Sequence, residues 1–423
     1  MTSHIRYDNK KLFVEDIPAA LLAEKYGTPL YVYSSNQIAE QFRILKDTFD
    51  IVPNLKFLYA LKANSNSELL KLISSLGAGA DTVSAGEIFL ALRSGFAPDS
   101  ISFAGVGKTD YDLDFALDRG IGTIIAESDE ELRAISERAA AMSKTANVSL
   151  RINPDVDART HPHISTGLKE NKFGINIRDA VGSARAAAKM KNIRLVGIHS
   201  HIGSQITEVE PFAEAVNSIR EFLAKLSRDG IEVSQIDLGG GIGVRYKNAL
   251  KDRLLPTETS EEPSIDLRTL AKVVKDGLSS SGYEILMEPG RFLTAESGIL
   301  LTRVLYRKES SGRTFVIVDA GMNDMMRHAL YSAYHQVVPV ELGEKAFELV
   351  DIVGPVCEST DVFAAQREIS RVDRGDLLAI MTVGAYGYSL ASNYNSRLKP
   401  AEILVDKDYS RIVRDRENLE DLV

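Results

Sequence analysis

Residues 55–104 are LKFLYALKANSNSELLKLISSLGAGADTVSAGEIFLALRSGFAPDSISFA. Three short apolar runs lie within this stretch, LKFLYA (55–60), GADTV (79–83) and SISFA (100–104), and two longer amphipathic segments separate them. Apolar residues in the longer segments recur at helical spacing. Because strands that alternate with helices pair in parallel through crossover helices, this stretch predicts an α/β fold.

The same alternation continues to residue 288. Five further apolar runs follow the first three: GTIIA (122–126), NVSLRI (147–152), RLVGIHS (194–200), SQIDLG (234–239) and YEILME (283–288). Eight strand–helix units in about 240 residues match the number and length expected of a (β/α)8 barrel. An open, doubly wound sheet is the alternative that periodicity alone does not exclude.

A different pattern begins after residue 296. Short apolar runs at close spacing, from ILLTRVLY to EILVD, predict a second, all-β domain that also takes in the N-terminal runs LFVEDI and PLYVYS. The expected domains are therefore a barrel of residues 37–296 and a β domain of residues 1–36 plus 297–423. The polar segment 248–266 is interpreted as a surface insertion in the seventh unit.

Composition and charge narrow the class of function. The chain has 423 residues, 44% hydrophobic and 26% charged, and its net charge of −9 gives no overall attraction to nucleic acid or anionic membranes. Its single cysteine, Cys357, cannot form an intrachain disulfide, which favours a reducing compartment. The N-terminus has no signal-peptide pattern and no apolar run reaches about 18 residues. We expect a cytoplasmic protein without nucleic-acid or membrane partners.

Polar or glycine-rich clusters follow directly on the apolar runs. They are LKAN (61–64), Asp81 with Ser84, Gly86 and Glu87, GVGKT (105–109), Glu127 with Ser128, Asn153 to Asp155, HSHIGSQ (199–205), GGGIG (239–243) and EPGR (288–291). In a barrel the carboxyl ends of the strands open onto one face, where the active sites of barrel enzymes lie. These clusters are therefore expected to converge on one cavity.

Four features of these clusters, three side chains and one glycine segment, match the needs of one cofactor. Lys62, expected beside apolar residues, offers an amine of lowered pKa that can form a Schiff base with a carbonyl group. The glycines of 239–241 let backbone N–H groups close on a phosphate. His201 can pack flat on an aromatic ring, and Glu288 can keep a ring nitrogen protonated. Together they predict a site for pyridoxal 5′-phosphate (PLP).

Other cofactor motifs fit less well. The spacing of a dinucleotide-binding motif places Val244 or Tyr246 where glycine is needed, and that of a P-loop places Ser102 there. His199 and His201, two residues apart on a strand, resemble the zinc ligands of metal-dependent barrel hydrolases. That alternative needs a third histidine and a carboxylate at other strand ends. The remaining histidines are not at the predicted ends of barrel strands.

Nine motifs resemble those of the barrel-type PLP-dependent decarboxylases, in family order and over nearly the whole chain. They are YALKANSN (59–66), GAGADTVSAGE (77–87), THPHISTGLKENKFGI (160–175), GIHSHIGSQ (197–205), LGGGIG (238–243), EPGR (288–291), DAGMNDMMRHALY (319–331), GPVCESTDVFA (354–364) and GAYGYS (384–389). The resemblance implies a homodimer in which the β domain of one subunit contributes to the active site of the other.

The same resemblance implies roles for individual residues. The implied cofactor-binding residues are Lys62, Asp81, His201, Ser204, Gly239, Gly240, Gly241, Glu288, Gly290, Arg291 and Tyr386. The implied substrate-binding residues are Arg291, Arg327, Tyr331, Glu358 and Tyr386. The implied catalytic residues are Lys62, which binds the cofactor covalently, His201, Glu288 and Cys357, the proton donor; no metal is implied.

The implied reaction is the decarboxylation of meso-2,6-diaminopimelate to L-lysine and CO2. This substrate carries an ammonium and a carboxylate at its far end, so that Arg327 or Arg291 can hold the carboxylate in two hydrogen bonds while Glu358 accepts from the ammonium. A substrate with only a distal amine would leave such an arginine as an unpaired buried charge. The alternatives are decarboxylation of ornithine, arginine or carboxynorspermidine, a metal-dependent hydrolase, and a catalytically silent PLP-binding regulator.

At two positions near these residues the chain differs from related sequences. The ornithine enzymes of this family place Asp directly after the cysteine, whereas this chain has Glu358. His328 stands where the family usually has proline. We expect His328 to alter the loop beside Arg327 without removing a ligand.

Overall fold

A computed structural model of the chain describes residues 4–157, 172–250, 252, 254–256, 262–279 and 282–423. The motif at 160–175, with His161 and His163, lies largely outside the described residues. The chain forms two compact units. The barrel unit consists of Phe42–Gly243 and Ser264–Gly290, and the β unit of Met1–Gln41, Val244–Pro263 and Arg291–Val423.

The strands are β1 (Ile5–Asp8), β2 (Lys11–Val14), β3 (Ile17–Pro18), β4 (Leu30–Ser34), β5 (Leu55–Ala60), β6 (Gly79–Thr82), β7 (Ile101–Phe103), β8 (Thr123–Ala126), β9 (Ala146–Asn153), β10 (Ile175–Asn176), β11 (Ile193–His199), β12 (Gln235–Asp237), β13 (Glu284–Met287), β14 (Gly298–Ser310), β15 (Arg313–Val318), β16 (Val337–Pro339), β17 (Phe347–Val353), β18 (Val362–Ser370), β19 (Leu377–Ile380), β20 (Ala401–Asp406) and β21 (Tyr409–Arg414). The α-helices are α1 (Ala19–Tyr26), α2 (Ser35–Phe49), α3 (Ser67–Ser75), α4 (Ala85–Arg93), α5 (Asp110–Arg119), α6 (Asp129–Ala141), α7 (Ala180–Ala187), α8 (Glu210–Arg228), α9 (Leu267–Leu278), α10 (Arg291–Thr294) and α11 (Arg327–Tyr331).

Eight strands of the barrel unit form a closed parallel sheet. Their order around the ring is β5, β6, β7, β8, β9, β11, β12 and β13, and β13 pairs with β5. The pairing of β8 with β9, in which Ile124 lies opposite Val148, closes the ring, and the short β10 pairs with β9 outside it. The predicted (β/α)8 barrel is therefore confirmed, and the open sheet is excluded.

The helices of the barrel unit bury the faces that the sequence pattern predicts. In α8 the residues at helical spacing, Val216, Ile219, Leu223 and Leu226, are all buried. The strands need no polar face because both sides of a parallel barrel are covered, and β8 is buried at every position. Among the described helices none is both long and apolar enough to cross a membrane.

In one sheet of the β unit, strand β4 of the N-terminal segment pairs with strands from the C-terminal part of the chain. The strand order is β18-β17-β15-β14-β4-β20-β21, and β19 pairs with both β14 and β16. The N-terminal strand β4 pairs antiparallel with β14 and parallel with β20. The predicted second β domain, including the N-terminal segment, is therefore confirmed as a fold class.

The packing of the barrel helices leads to a stability prediction. Leu132 of α6 is fully buried, whereas its neighbour Arg133 is exposed. We expect Leu132→Ala to lower the free energy of unfolding by about 2–5 kcal/mol, since it leaves a cavity in the core. Arg133→Ala, the matched control, should change it by less than about 0.5 kcal/mol. Denaturant unfolding followed by circular dichroism measures both, and equal midpoints would contradict the packing described.

Candidate active site

Lys62 lies on a single 3-10 turn, Leu61–Ala63, between β5 and α3. The hydroxyl of Tyr59 donates to the carbonyl of Asn64 at 3.0 Å, and the Asn64 side chain accepts from the amide of Asn66 at 3.0 Å. Asn66 in turn caps the first turn of α3 through its side-chain oxygen. Tyr59, Asn64 and Asn66 of the YALKANSN motif therefore fix the turn that presents Lys62.

A carboxylate contacts the Lys62 amine. Lys62 Nζ lies 3.1 Å from Asp81 Oδ2, and the Asp81 side chain is fully buried at the end of β6. The sequence predicted apolar surroundings for this amine, and the structure instead places a negative charge against it. Burial and the nearby charge of Glu288 raise the pKa of Asp81 to about 6, while Lys62 lowers it. Asp81 therefore holds the amine in place.

Glu288, His199 and Asp237 form a buried cluster at the carboxyl ends of β13, β11 and β12. One ligand-type atom from each side chain lies within 4.8 Å of the others. Nε2 of His199 is 3.3 Å from both carboxylate oxygens of Glu288, with hydrogen-bond geometry to Oε2. His201, the second histidine of the zinc-like pair, is not part of this cluster. Asp237 is a site residue that was not predicted, although a carboxylate inside the apolar run SQIDLG was the available signal.

The two carboxyl groups of this cluster have opposite pKa shifts. Burial and the charge of Glu288 raise the pKa of Asp237 well above its ordinary value. Burial alone would also raise the pKa of Glu288, but His199 and Lys62 lower it below its ordinary value. Like charges this close in a buried site cannot both be present without a large cost. The proton is therefore on Asp237, and Glu288 carries the negative charge.

The glycine segment 239–241 supports His201. The Gly240 amide donates to His201 Nδ1 at 3.0 Å, and the Gly239 amide donates to Asp237 Oδ1 at 2.9 Å. Because an amide N–H can only donate, Nδ1 of His201 is an acceptor and the ring is neutral. Burial lowers the pKa of His201 well below its ordinary value, which agrees with that assignment. Two of the three amides predicted to bind phosphate therefore hold neighbouring side chains.

Gly290 packs against the turn that carries Lys62. A Cβ at Gly290 would lie 3.0 Å from the Cβ of Ala60 and 3.1 Å from that of Ala63. The Ala60 amide also donates to the Pro289 carbonyl at 3.4 Å. The EPGR motif therefore joins the eighth strand of the barrel to the first. Ser204, predicted to bind phosphate, lies partly exposed in the loop after β11.

Several other residues of the strand-end clusters have structural roles. Ser84, Thr109 and Ser128 cap α4, α5 and α6 through their side-chain oxygens. The Lys108 amine is buried and donates to two backbone carbonyls and to Glu131 at 2.6–2.8 Å. These polar residues of the strand-end clusters therefore stabilise the fold.

Two buried arginines surround a tyrosine in the β unit. Arg291, at the start of α10, donates from Nη1 to the hydroxyl of Tyr246, and Arg327, at the start of α11, lies 4.7 Å from the centre of the Tyr246 ring. Arg291 also lies 4.7 Å from the ring centre of Tyr386. Tyr331 is at the end of α11, where it is partly buried. Tyr246, which contacts both arginines, was not among the predicted site residues.

The Arg327 guanidinium is held by neutral groups. Among the described residues no carboxylate forms an ion pair with it, although it is only 7% exposed. Burial lowers the pKa of Arg327, and the positive charge of Arg291 lowers it further. A buried cation surrounded by rings needs an anion to offset its desolvation. This part of the β unit therefore has the chemistry of a carboxylate- or phosphate-binding site.

Cys357 and Glu358 lie on an exposed loop between β17 and β18. The Cys357 amide donates to Asn395 Oδ1 at 2.8 Å. Asp361 fixes the loop, since its two carboxylate oxygens accept from the amides of Met322 and Val356 at 2.7 and 2.8 Å. Within the described residues, neither Cys357 nor Glu358 forms a hydrogen bond or ion pair with the two arginines.

His328, the second residue of α11, is buried against Phe363 of β18 and against Asp361 of this loop. Its ring centre lies 4.4 Å from that of Phe363, and Nε2 is 4.0 Å from Asp361 Oδ1. Neither ring nitrogen has a hydrogen-bond partner among the described residues. Burial lowers the pKa of His328 to about 4, so the ring is neutral at physiological pH. It therefore packs as an apolar side chain in place of proline.

Comparison with known proteins identifies the class of this protein. The family model described as "Pyridoxal-dependent decarboxylase, pyridoxal binding domain" matches residues 35–295. The chain belongs to this family of PLP-dependent decarboxylases, and the predicted cofactor is confirmed.

The comparisons also identify the branch of the family. The diaminopimelate decarboxylase of Aquifex aeolicus is 42% identical and aligns with 99% of this chain and 96% of its own. The structure of the Helicobacter pylori diaminopimelate decarboxylase complexed with L-lysine is 42% identical, with a TM-score of 0.89 over 96% of this chain and 98% of that one. The Methanocaldococcus jannaschii enzyme gives a TM-score of 0.91 at 38% identity, over 99% and 96% of the two chains. The chain is thus a member of the diaminopimelate decarboxylase branch, as its motifs predicted.

The residues of the barrel unit fit PLP. Glu288 Oε1 and Asp81 Oδ1 are buried and have no hydrogen-bond partner among the described residues. A protonated pyridine nitrogen is a donor that a buried carboxylate oxygen can accept. The Lys62 amine, partly exposed on its turn, is accessible to an aldehyde. The site residues therefore offer both the acceptor and the nucleophile that this cofactor requires.

The glycine segment gives a test of the site. A Cβ at Gly240 would lie 2.2 Å from the Glu288 carbonyl oxygen, whereas one at Gly182, inside α7, meets nothing within 4 Å. We expect Gly240→Ala to destabilise the protein by about 1–3 kcal/mol, because the backbone at Glu288 must move away from the new methyl group. The amount of bound PLP should fall as well, because Glu288 moves with its backbone. Gly182→Ala should retain full PLP content and gain up to about 1 kcal/mol. Thermal unfolding and absorbance of the bound cofactor measure both, and full PLP binding by Gly240→Ala would contradict this geometry.

Proposed function

We propose that this protein decarboxylates meso-2,6-diaminopimelate to L-lysine and CO2. The observation that carries the proposal is the buried pair Arg291 and Arg327 around Tyr246, in a chain of the diaminopimelate decarboxylase branch. A substrate whose far end carries a carboxylate offsets this buried positive charge. An ornithine-type substrate has no carboxylate at its far end, and neither has a diamine.

The barrel unit supplies the groups that bind the cofactor. PLP, when bound, withdraws the electron pair that remains at Cα after CO2 is lost. We propose that Lys62 holds the cofactor covalently and is displaced by the substrate amine. Glu288, kept ionised by His199 and the protonated Asp237, would accept from the ring nitrogen and keep it positive. The neutral ring of His201 would pack on the ring face.

The β unit supplies the groups that bind and protonate the substrate. We propose that Arg327 and Arg291 bind carboxylate and phosphate groups, and that Glu358 accepts from the distal ammonium. Cys357 would deliver a proton to Cα after CO2 has left. Both Cys357 and Glu358 are exposed on a loop that Asp361 fixes. Exposure of two predicted reactive groups supports a homodimer in which this loop serves the partner's site.

A direct assay tests the proposed reaction. PLP-loaded protein should release equal amounts of CO2 and L-lysine from meso-diaminopimelate and turn over ornithine and arginine much more slowly. Lys62→Ala should lose activity by more than about 1,000-fold, since the covalent link to the cofactor is gone. Lys71→Ala, which removes an exposed lysine of α3, is the matched control and should keep wild-type activity. Decarboxylation at the wild-type rate by Lys62→Ala would refute its role.

Mixed dimers test the shared site. Lys62→Ala and Cys357→Ala each disable one component, but a dimer with one subunit of each type has one complete site if the sites are shared. Random exchange in an equal mixture makes half the dimers hybrid, so about a quarter of wild-type activity should return. Subunit exchange is confirmed separately with differently tagged chains. Exchange without any recovery would show that each subunit has a self-contained site.

A further inference from the structure

A buried hydrogen-bond chain lies behind Arg327. Nη1 of Arg327 is 2.8 Å from Nε2 of His335, and Nδ1 of His335 is 2.8 Å from the carbonyl oxygen of Met381. Because a carbonyl can only accept, Nδ1 carries the hydrogen and donates to Met381. Nε2 of the neutral ring then accepts from the guanidinium. The backbone of Met381 thus fixes the tautomer of His335, and His335 fixes Arg327.

The charge state of His335 agrees with this chain. The side chain is almost completely buried, at 1% exposure. Burial and the adjacent positive charge of Arg327 lower the pKa of His335 well below its ordinary value. The groups that face the ring are Arg327, the carbonyl of Met381 and the ring of Tyr246, whose centre is 5.0 Å away at 74°. A protonated His335 would lose its acceptor and repel Arg327.

His335 is itself held by the sheet of the β unit. It precedes β16, which pairs antiparallel with β19, and the Met381 amide donates to the Gln336 carbonyl at 2.9 Å. The side chain of Gln336 makes two hydrogen bonds to the backbone of Leu250, of 2.7 and 3.1 Å. The neighbouring residues His335 and Gln336 therefore anchor Arg327 and the segment that carries Tyr246 to the same pair of strands.

We propose that His335 is a positioning residue that sets substrate specificity, by directing the free N–H edge of Arg327 at the distal carboxylate of the substrate. The inference rests on the proposed function and adds a residue to it. One face of the guanidinium lies against Tyr246 and one edge is bound to His335, so its orientation is determined before any ligand binds. A preoriented guanidinium binds a carboxylate more tightly than a mobile one.

Two variants of His335 and one of His328 test this role. His335→Leu has similar volume but no acceptor, whereas His335→Gln restores an acceptor and a donor. His328→Leu is the matched control, because His328 is also a buried imidazole next to Arg327 in sequence but has no hydrogen-bond partner among the described residues. The measurements are kcat and KM for meso-diaminopimelate, and inhibition constants for L-lysine and for 1,5-diaminopentane, which lacks the carboxylate.

We expect His335→Leu to raise KM and the L-lysine inhibition constant by about 10-fold or more, the effect of one hydrogen bond to a charged group. The inhibition constant of 1,5-diaminopentane and kcat should change by less than about 3-fold. His335→Gln should recover most of the preference for L-lysine, and His328→Leu should retain all of it. Thermal midpoints and PLP content confirm that each variant is folded.

Two results would overturn the proposal. One is wild-type discrimination between L-lysine and 1,5-diaminopentane in folded His335→Leu. The other is an equal loss of affinity for both compounds, which would mean that His335 only stabilises the fold. If His335→Leu does not fold, His335→Phe, which also lacks an acceptor nitrogen, takes its place and is judged by the same two results. Failure of the wild-type protein to act on meso-diaminopimelate would refute the proposed function. The wild-type assay alone shows this, so the two failures are distinguishable.

Discussion

The closure of eight parallel strands, completed by the pairing of β8 with β9, is the constraint on which the site of the barrel unit depends. It directs every carboxyl end of a strand to one end of the ring. The register then decides which side chains meet. His199 lies opposite Asp237 on β12, and Asp237 lies opposite Leu286 on β13, two residues before Glu288. The acidic cluster is therefore a consequence of strand order and register.

The electrostatics of the barrel mouth follow from burying three carboxyl groups together. Asp81 is balanced by the Lys62 amine, and Glu288 by the hydrogen bond from His199. Among the described residues no cation pairs with Asp237, so the burial cost and the charge of Glu288 leave it protonated. A neutral acid beside a charged one keeps the negative charge on a single side chain. That side chain, Glu288, has a buried carboxylate oxygen, Oε1, with no hydrogen-bond partner among the described residues.

The sequence predicted the architecture well because alternation of apolar runs and helices is a local property. The run LKFLYA coincides with β5, and the glycine, lysine and arginine motifs lie where the strand ends were expected. The sequence failed for contacts that depend on the pairing of distant strands. Asp237 lay inside a predicted strand, so its role in the site was not predicted. Tyr246 and His335 lay in segments without a motif. Helix caps such as Ser84 fell in the same polar clusters as the predicted site residues, since capping uses the same polar side chains.

The specificity proposed for the arginine pair of the β unit depends on a neutral environment. A carboxylate partner within the chain would neutralise Arg327 and remove its affinity for an anion. The rings of Tyr246 and His335 hold the guanidinium through a face contact and an acceptor without neutralising it. Because no carboxylate among the described residues pairs with this buried charge, a ligand carboxylate would add binding energy at Arg327 that a diamine cannot supply. In the proposed function, discrimination between a carboxylate and an amine then depends on how well the neutral neighbours fix the direction of the N–H groups.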